Sequence, residues 1–254
     1  MRLTRVYLDA PLSAGARVTL AGSAARHVTR VLRLRPGQAL VLFNGGGGEY
    51  AATIEAVQGE KVVVAVGDAR AIERESPLSL TLAQGVSRGE RMDLVVQKAT
   101  ELGASRIVPV LTERSVVRLS APEGRRKVEH WRAIVIAACE QSGRNRLPRL
   151  APPLALADFL RSPESARYAA GDVGAGGTIR LLLSPAAAPR LDEVPGRGDA
   201  LTVLIGPEGG LSEAEEQAAL DAGFTAVHLG PRVLRTETAA IAALTLLQRR
   251  FGDL

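Results

Sequence analysis

The chain has 254 residues, of which 46% are hydrophobic and only 3% aromatic, so a sizeable core must be built from Leu, Val, Ile and Ala. The formal charge of +5 suggests a polyanionic partner, although a basic, arginine-rich proteome would explain it equally well. The single cysteine, Cys139, excludes an intrachain disulfide and a cysteine-based zinc site, and the lack of a signal core or long apolar run predicts a cytoplasmic protein.

Residues 1–72 are predicted to form a small β-rich domain. Its short apolar strands are expected at residues 18–20, 39–43, 50–56 and 61–66. The glycine-rich loop at residues 44–48 is followed by neither Lys-Ser/Thr nor a helix, so it predicts a flexible hairpin rather than a phosphate-binding loop.

One helix interrupts these strands, from an N-cap at Ser23 to Leu34, before Pro36 and Gly37. Its arginines have spacings of four and three and are predicted to share one face: Arg26, Arg30 and Arg33. Its opposite face is predicted to be buried: Val28, Val31 and Leu32. Residues 23–35 contain no acidic side chain, which favours a contact with a phosphate backbone over an ordinary solvated face.

A polar connector at residues 71–77 predicts a boundary between domains 1–72 and 73–254. Beyond it, apolar strands are predicted at residues 78–83, 106–110, 179–183, 201–205 and 226–229. Helices are predicted at residues 89–102, 123–141, 212–221 and 236–251, and loops with a short helix at 151–178 and 186–199. The alternation predicts an α/β domain with a mostly parallel sheet. Cys139 falls in an apolar helix and is expected to be a core residue.

Several classes of chemistry lose support from missing motifs. His27, His130 and His228 are scattered, with no partner at metal-ligand spacing. No Gly-x-Ser-x-Gly elbow or P-loop occurs, and no Gly-x-Gly-x-x-Gly follows the first strand of the α/β part. Zinc, acyl-enzyme, ATPase and ordinary dinucleotide chemistry are therefore disfavoured.

Two Gly/Pro-rich loops follow predicted strands near the C-terminus, at residues 205–210 and 229–240. Loops at the carboxyl ends of neighbouring parallel strands form sites for small polar ligands, and glycines let backbone groups approach a ligand closely. Ser212 with Glu215 predicts a capping box after the first loop, and Thr236 is the predicted N-cap after the second. Arg235 beside it has no structural need to be there.

Together with motifs along the rest of the chain, these loops resemble the SPOUT superfamily of knotted methyltransferases, and within it the ribosomal RNA small subunit methyltransferase E family. The supporting motifs are Ser87-Arg88-Gly89-Glu90-Arg91-Met92-Asp93, Gln97-Lys98-Ala99-Thr100-Glu101-Leu102-Gly103, Glu113-Arg114-Ser115, Ala137-Ala138-Cys139-Glu140-Gln141-Ser142-Gly143-Arg144-Asn145-Arg146 and Arg250-Phe251-Gly252-Asp253-Leu254. Each motif is weak alone, but the ordered set is specific.

The resemblance implies an N-terminal PUA-like β-barrel domain that binds RNA and a C-terminal SPOUT α/β domain with a deep trefoil knot. It implies a homodimer with the active site at the subunit interface. It also implies S-adenosylmethionine as the cofactor, no metal, and methylation of N3 of a uridine in 16S rRNA within the 30S ribosomal subunit.

The resemblance also suggests residue roles. The cofactor-binding residues would be Leu183, Ile205, Gly206, Pro207, Glu208, Gly209, Gly210, Leu229, Gly230, Leu234, Thr236, Thr238 and Ala239. RNA would be bound by Arg5, Arg26, Arg30, Arg33, Arg88, Arg91, Arg144 and Arg146. For catalysis, Arg235 is the first candidate to stabilise charge on the uracil, Arg232 is the second, and Glu237 or Glu208 is the base.

Three alternatives remain open. The chain could be a noncatalytic RNA-binding or ribosome-assembly factor, which intact cofactor loops argue against. It could be a SPOUT enzyme that acts on tRNA or on ribose, which only the match over both domains disfavours. An NAD-dependent enzyme is excluded only by the missing motif.

Overall fold

The computed structural model describes residues 3–116, 119–162, 178–186, 189–194 and 198–254. Contacts divide the chain into two units, Met1–Glu75 with Ile136–Leu147 and Ser76–Val135 with Pro148–Leu254. The predicted loop regions 151–178 and 186–199 include residues 163–177, 187–188 and 195–197, which lie outside the described residues.

The first unit contains a curled five-stranded sheet with the order β1-β3-β4-β5-β2 among the described residues. Its strands are β1 Arg5–Tyr7, β2 Arg17–Leu20, β3 Ala39–Phe43, β4 Glu49–Gln58 and β5 Lys61–Arg70. Strand β1 pairs in parallel with β3, and the other pairs are antiparallel. Register shifts between β4 and β5 bend the long hairpin, so its apolar residues enclose one core.

The predicted helix over residues 23–34 is wrong in its geometry. The structure has α1 at Gly22–Arg26 with Ala21, not Ser23, as N-cap, followed by a π-helix at His27–Val31. A π turn holds more residues than an α turn, so residues after it rotate to a different face. Val28 is buried as predicted, but Val31 is 67% exposed.

The same irregularity separates the three arginines. Arg26 ends α1, Arg30 lies in the π-helix, and Arg33 follows it with a φ of 53°, in the left-handed region. All three are exposed, but they do not share one regular helical face. The guanidinium of Arg30 lies 3.5 Å from Glu60, so an acid-free stretch of sequence does not mean an acid-free surface.

A cluster of buried charges lies in the first unit. Arg5 is only 7% exposed; its guanidinium donates to the Glu49 carboxylate, to the Asn145 side-chain oxygen and to the Arg144 carbonyl. Burial by itself would raise the pKa of Glu49, but hydrogen bonds and charge from Arg5 and Arg74 outweigh it and lower that pKa.

Two of the predicted RNA-binding residues are therefore corrected. Arg5 is engaged inside this cluster, and Arg144 is buried with its guanidinium on the Glu75 carboxylate. Buried guanidinium groups that are already hydrogen-bonded cannot face a phosphate backbone. Arg146 differs from them, because its ion pair with Glu73 lies at the surface.

Cys139 is fully buried, which confirms the prediction of a core residue. Burial raises the pKa of its thiol to about 12, so it stays protonated and is no nucleophile.

The second unit contains a parallel sheet with the order β12-β10-β11-β6-β7-β8, and β9 also pairs with β7. Its strands are β6 Ser79–Gly85, β7 Arg106–Leu111, β8 Arg149–Leu150, β9 Leu154–Ala155, β10 Thr178–Leu183, β11 Ala200–Ile205 and β12 Thr225–Val227. The helices are α2 Glu90–Glu101, α3 Ala121–Ser142, which passes into the first unit at residue 136, α4 Leu156–Arg161, α5 Glu213–Asp221 and α6 Thr236–Phe251. The predicted α/β pattern with a parallel sheet is confirmed.

Helices cover both faces of this sheet. Alternate strand residues such as Leu182 and Leu204 pack in one cluster with Phe159 of α4 and Ala219 of α5. Their neighbours along the strands are buried too and point to the other face, where α2 packs against α6. No helix in the described part of the chain is long and apolar enough to cross a membrane.

Replacing Arg5 by methionine tests the buried cluster. We expect Arg5→Met to lower the free energy of unfolding in urea by about 3–5 kcal/mol at neutral pH, because Glu49 keeps its charge but loses its buried partner. The lowered pKa of Glu49 means that this contribution is present above the ordinary carboxyl pKa and is lost as the pH falls through the lowered one. The difference between the two proteins should therefore shrink in acid.

The matched control is Arg17→Met, because Arg17 forms an exposed ion pair with Glu55. It should change stability by less than about 1 kcal/mol. Equal effects of the two substitutions would contradict a special role for the buried cluster.

Candidate functional site

Three loops meet at the carboxyl edge of the parallel sheet, after β10, β11 and β12. The last residues of the strands are in register, since Leu183 pairs with both Ile205 and Val227. The three strands therefore end at the same edge of the sheet. The loops that follow them enclose a pocket of about 640 Å³. This volume is typical of a small-molecule site.

The pocket gathers most of the residues predicted from sequence. All of the predicted cofactor residues line it except Thr238, which is exposed beside it. The three predicted catalytic residues, Arg232, Arg235 and Glu237, also line it.

Sequence reasoning missed other lining residues: Arg114, Ser184, Pro185, Leu211, Glu216, His228 and Val233. Ser184 and Pro185 directly follow a predicted strand, as the two recognised loops do, and this position was the available signal. Arg114 comes from the turn after β7 and belongs to the motif Glu113-Arg114-Ser115, but that motif did not indicate a place in the pocket. Glu216 comes from α5, and nothing local in the sequence marks it.

Gln84, at the end of β6, holds two of the loops together. Its side chain is fully buried, and its Nε2 donates to Thr236 Oγ1 at 2.9 Å and to the Gly206 carbonyl at 3.4 Å. The Thr236 hydroxyl in turn donates to the same carbonyl at 2.8 Å. The loops after β11 and β12 are thus joined through one amide.

Thr236 is therefore not the N-cap that the sequence predicted. The N-cap of α6 is Arg235, which makes no capping bond with its side chain. The first N–H groups of α6 consequently lack a side-chain cap, and they lie beside the pocket. Helix N-termini of this kind favour negative or partially negative ligand atoms.

The loop after β11 is a tight turn supported from outside. The N–H of Gly210 donates to the Pro207 carbonyl at 2.9 Å, and Gly210 has a φ of 70°. Arg114 donates from Nη1 to the carbonyls of Gly209 at 3.3 Å and Leu211 at 3.0 Å. The loop is therefore held in this shape by contacts within the protein.

The capping box predicted from Ser212 and Glu215 is confirmed. The Glu215 carboxylate also accepts the backbone N–H of Glu113 at 2.8 Å, which connects the start of α5 to the turn after β7.

Glu208 is held in this loop by two donors. Its carboxylate accepts the Arg88 backbone N–H and the Arg91 guanidinium, both at 2.9 Å. Burial alone would raise the pKa of Glu208, but these bonds outweigh it and lower that pKa. A carboxylate stabilised in its ionised form is a weak proton acceptor, which disfavours Glu208 as the base.

Glu237 is in a different situation. Its Oε2 atom is buried and has no hydrogen-bond partner among the described residues. Buried carboxylate oxygens normally have partners, so an unsatisfied one that lines a pocket indicates a missing ligand group. Arg232 and Arg235 lie on the same loop with exposed side chains.

The pocket has room and chemistry for a ligand with apolar and polar parts. A Cβ atom added to Gly210 or Gly230 would meet nothing within 4 Å. Apolar side chains of Leu183, Ile205 and Leu234 lie near backbone groups of the glycine loops. In the described ranges, no group of three or more His, Cys, Asp or Glu side chains could hold a metal ion.

The remaining predicted RNA-binding arginines lie at the surface of their own units. In the second unit these are Arg88 and Arg91, beside the loop after β11. In the first unit, Arg26, Arg30, Arg33 and Arg146 are exposed, and Arg146 lies against the glycine loop at residues 45–47.

Comparison with known proteins gives consistent matches. A family profile described as an RNA methyltransferase domain matches residues 74–248, and one described as an RNA methyltransferase PUA domain matches residues 20–67. Ribosomal RNA small subunit methyltransferase E of Buchnera aphidicola subsp. Schizaphis graminum is 31% identical, over 100% of this chain and 98% of its own.

Two solved structures resemble the whole chain, with full coverage of both chains in each case. A methyltransferase from Legionella pneumophila in complex with S-adenosylmethionine is 40% identical, with a TM-score of 0.91. Ribosomal RNA small subunit methyltransferase E from Neisseria gonorrhoeae, bound to S-adenosylmethionine, is 37% identical, with a TM-score of 0.87.

Replacing Gln84 by leucine tests the link between the loops. We expect Gln84→Leu to speed amide hydrogen exchange in residues 206–212 and 229–236 together, because both loops lose their common donor. The free energy of unfolding should fall by about 1–2 kcal/mol.

Gln217→Leu is the control, since Gln217 is exposed on α5 and bonds only within its helix to Asp221. It should leave exchange in both loops unchanged. If Gln84→Leu affected one loop alone, Gln84 would not couple them.

Proposed function

We propose that this chain, which belongs to the RNA methyltransferase family, methylates N3 of a specific uridine in 16S rRNA. The methyl donor is S-adenosylmethionine. The observation that carries the proposal is the pocket at the sheet edge, where the glycine loops, two arginines and an unsatisfied carboxylate face one cavity. The names and bound cofactor of the full-length relatives support it.

The pocket residues fit the cofactor. Apolar side chains suit the adenine ring, and backbone groups of the glycine loops suit its polar edges. When bound, S-adenosylmethionine supplies an electrophilic methyl group on its sulfonium. The residues that would hold it are Leu183, Ile205, Gly206, Pro207, Glu208, Gly209, Gly210, Leu229, Gly230, Leu234, Thr236 and Ala239, with Thr238 at the margin.

The protein's own task is to prepare the uracil. Neutral uracil carries a proton on N3 and is a poor nucleophile, so the proton must leave and the charge that spreads to O2 and O4 must be stabilised. Arg235 provides a guanidinium for that charge, with Arg232 as second donor. Glu237 accepts the N3 proton, because its Oε2 has no donor among the described residues, while Glu208 is already bound.

The finer architecture is also part of the proposal. Residues 1–72 form a PUA-like barrel that binds RNA, and residues 73–254 form a SPOUT domain with a deep trefoil knot. Two chains form a homodimer with the active site at their interface. The curled sheet of the first unit and the parallel sheet of the second support the division into these two domain types.

The RNA is a strand of the 30S subunit, and surface arginines bind its phosphates. Those in the first unit are Arg26, Arg30, Arg33 and Arg146, and those in the second are Arg88 and Arg91. Because ion pairs at exposed positions are weak, the partners of Arg30 and Arg91 can be displaced by a phosphate.

Arg235→Ala tests the catalytic assignment. We expect N3-methyluridine formation on 30S subunits to fall by at least about 100-fold, as for the loss of one preorganised donor to a developing charge. Cofactor binding and thermal unfolding should stay near those of the wild type, since Arg235 makes no capping bond. Nucleoside mass spectrometry of the 16S rRNA is the measurement.

The matched control is Arg249→Ala, which removes an exposed arginine from the other end of the same helix. Its methylation rate should equal that of the wild type. Wild-type turnover by Arg235→Ala would refute the assignment.

The double substitution Arg26→Glu with Arg30→Glu tests the RNA surface of the first unit. Each reversed charge replaces attraction to phosphate by repulsion, so we expect at least about tenfold weaker binding of 16S rRNA at low salt. Affinity for S-adenosylmethionine should not change. Unchanged RNA affinity in a filter-binding titration would remove these residues from the RNA surface.

A further inference from the structure

We propose that Glu216 binds the ribose hydroxyls of S-adenosylmethionine, in a subsite that Ser184 orients. The inference rests on the proposed function, because it concerns the same pocket and the same cofactor. It assigns roles to Ser184, which follows β10, and to Glu216 on α5, neither of which sequence analysis identified.

Glu216 and Ser184 meet in the lining of the pocket. Ser184 follows β10 directly and is only 2% exposed, and its hydroxyl lies 3.3 and 3.2 Å from the two carboxylate oxygens of Glu216. The Ser184 oxygen also accepts the N–H of Ala186 at 3.4 Å. That contact directs the hydroxyl proton toward Glu216 and orients the carboxylate.

The Glu216 carboxylate retains most of its acceptor capacity. An ionised carboxylate offers about four acceptor sites, and the Ser184 hydroxyl has one proton to donate. A half-buried carboxylate in a ligand pocket therefore favours a ligand that brings its own donors. A ribose presents two neighbouring hydroxyls, a pair that acidic side chains bind in other nucleotide sites.

The position of Glu216 separates it from the reacting end of the ligand. Glu216 lies on α5, which packs with α4 on one face of the sheet, whereas Glu237 and the loop with Arg235 lead into α6, which packs with α2 on the other face. The methyl group must reach an RNA base, so the reacting end belongs with Arg232 and Arg235, whose side chains are exposed. The adenosine part of the cofactor would then lie beside Ser184 and Glu216.

The alternative occupant is the ammonium group of the methionine part, which is also a donor. It is attached through a short chain to the reacting sulfonium, which belongs with Arg232 and Arg235, whereas Glu216 lies on the helix that packs on the other face of the sheet. The ribose is therefore the better match for Glu216.

Calorimetric titration with two ligands tests the subsite. 5′-Methylthioadenosine retains the adenine and ribose of the cofactor but lacks the amino and carboxyl groups. We expect Glu216→Gln to weaken binding of both S-adenosylmethionine and 5′-methylthioadenosine by a similar factor of about ten or more, since hydrogen bonds to a charged acceptor are the strong ones.

Glu213→Gln is the matched control, because Glu213 is an exposed carboxylate in the first turn of the same helix. It should leave both affinities unchanged, which separates the subsite from a general effect of charge near the helix end. Ser184→Ala provides a second variant if Glu216→Gln does not fold. It should weaken both ligands by a smaller, equal factor.

Loss of S-adenosylmethionine affinity with unchanged 5′-methylthioadenosine affinity would overturn the proposal in favour of the ammonium group. Unchanged affinity for both ligands would also overturn it while leaving the proposed function intact. Failure of the wild-type protein to bind either ligand would instead refute the proposed cofactor site, and the subsite with it.

Discussion

The site depends on the common end of the parallel strands. Because β10, β11 and β12 are parallel and end in register, the loops that follow them meet although they are far apart in the sequence. Gln84, at the end of a fourth strand, then joins two of these loops through Thr236 and the Gly206 carbonyl. This arrangement positions the catalytic candidates Arg232 and Arg235, because they lie on the loop after β12 that the Gln84 amide contacts.

Local patterns predicted the longer strands, the long helices of the second unit and two of the three loops, because alternating apolar segments and Gly/Pro turns are local features. They missed the short strands β1, β8 and β9. They failed where geometry depends on distant packing. The π-helix at His27–Val31 displaced Val31 from its predicted buried side. Ser184 and Glu216 meet across 32 positions of sequence, and no spacing rule relates a strand end to the first turn of a later helix.

The arginines show why charge alone does not identify an RNA surface. Arg5 lies 44 positions from Glu49, its buried partner, so nothing near it in the sequence distinguishes it from an exposed arginine. Arg232 and Arg235 line the pocket with exposed side chains, and the role proposed for them rests on that place. A buried guanidinium serves the fold, whereas an exposed one beside a pocket can serve a ligand or a reaction.

The claim that the strand-end pocket holds the methyl donor is tested most directly by calorimetric titration with S-adenosylmethionine, on the wild-type protein and Gly209→Val. A Cβ at Gly209 would lie 3.1 Å from the Arg114 Cβ and 3.3 Å from its carbonyl oxygen, so valine must disturb the supported loop. The account predicts one site per chain with micromolar affinity in the wild type and its loss in the variant. No binding to the wild type, or equal binding to both proteins, would contradict it.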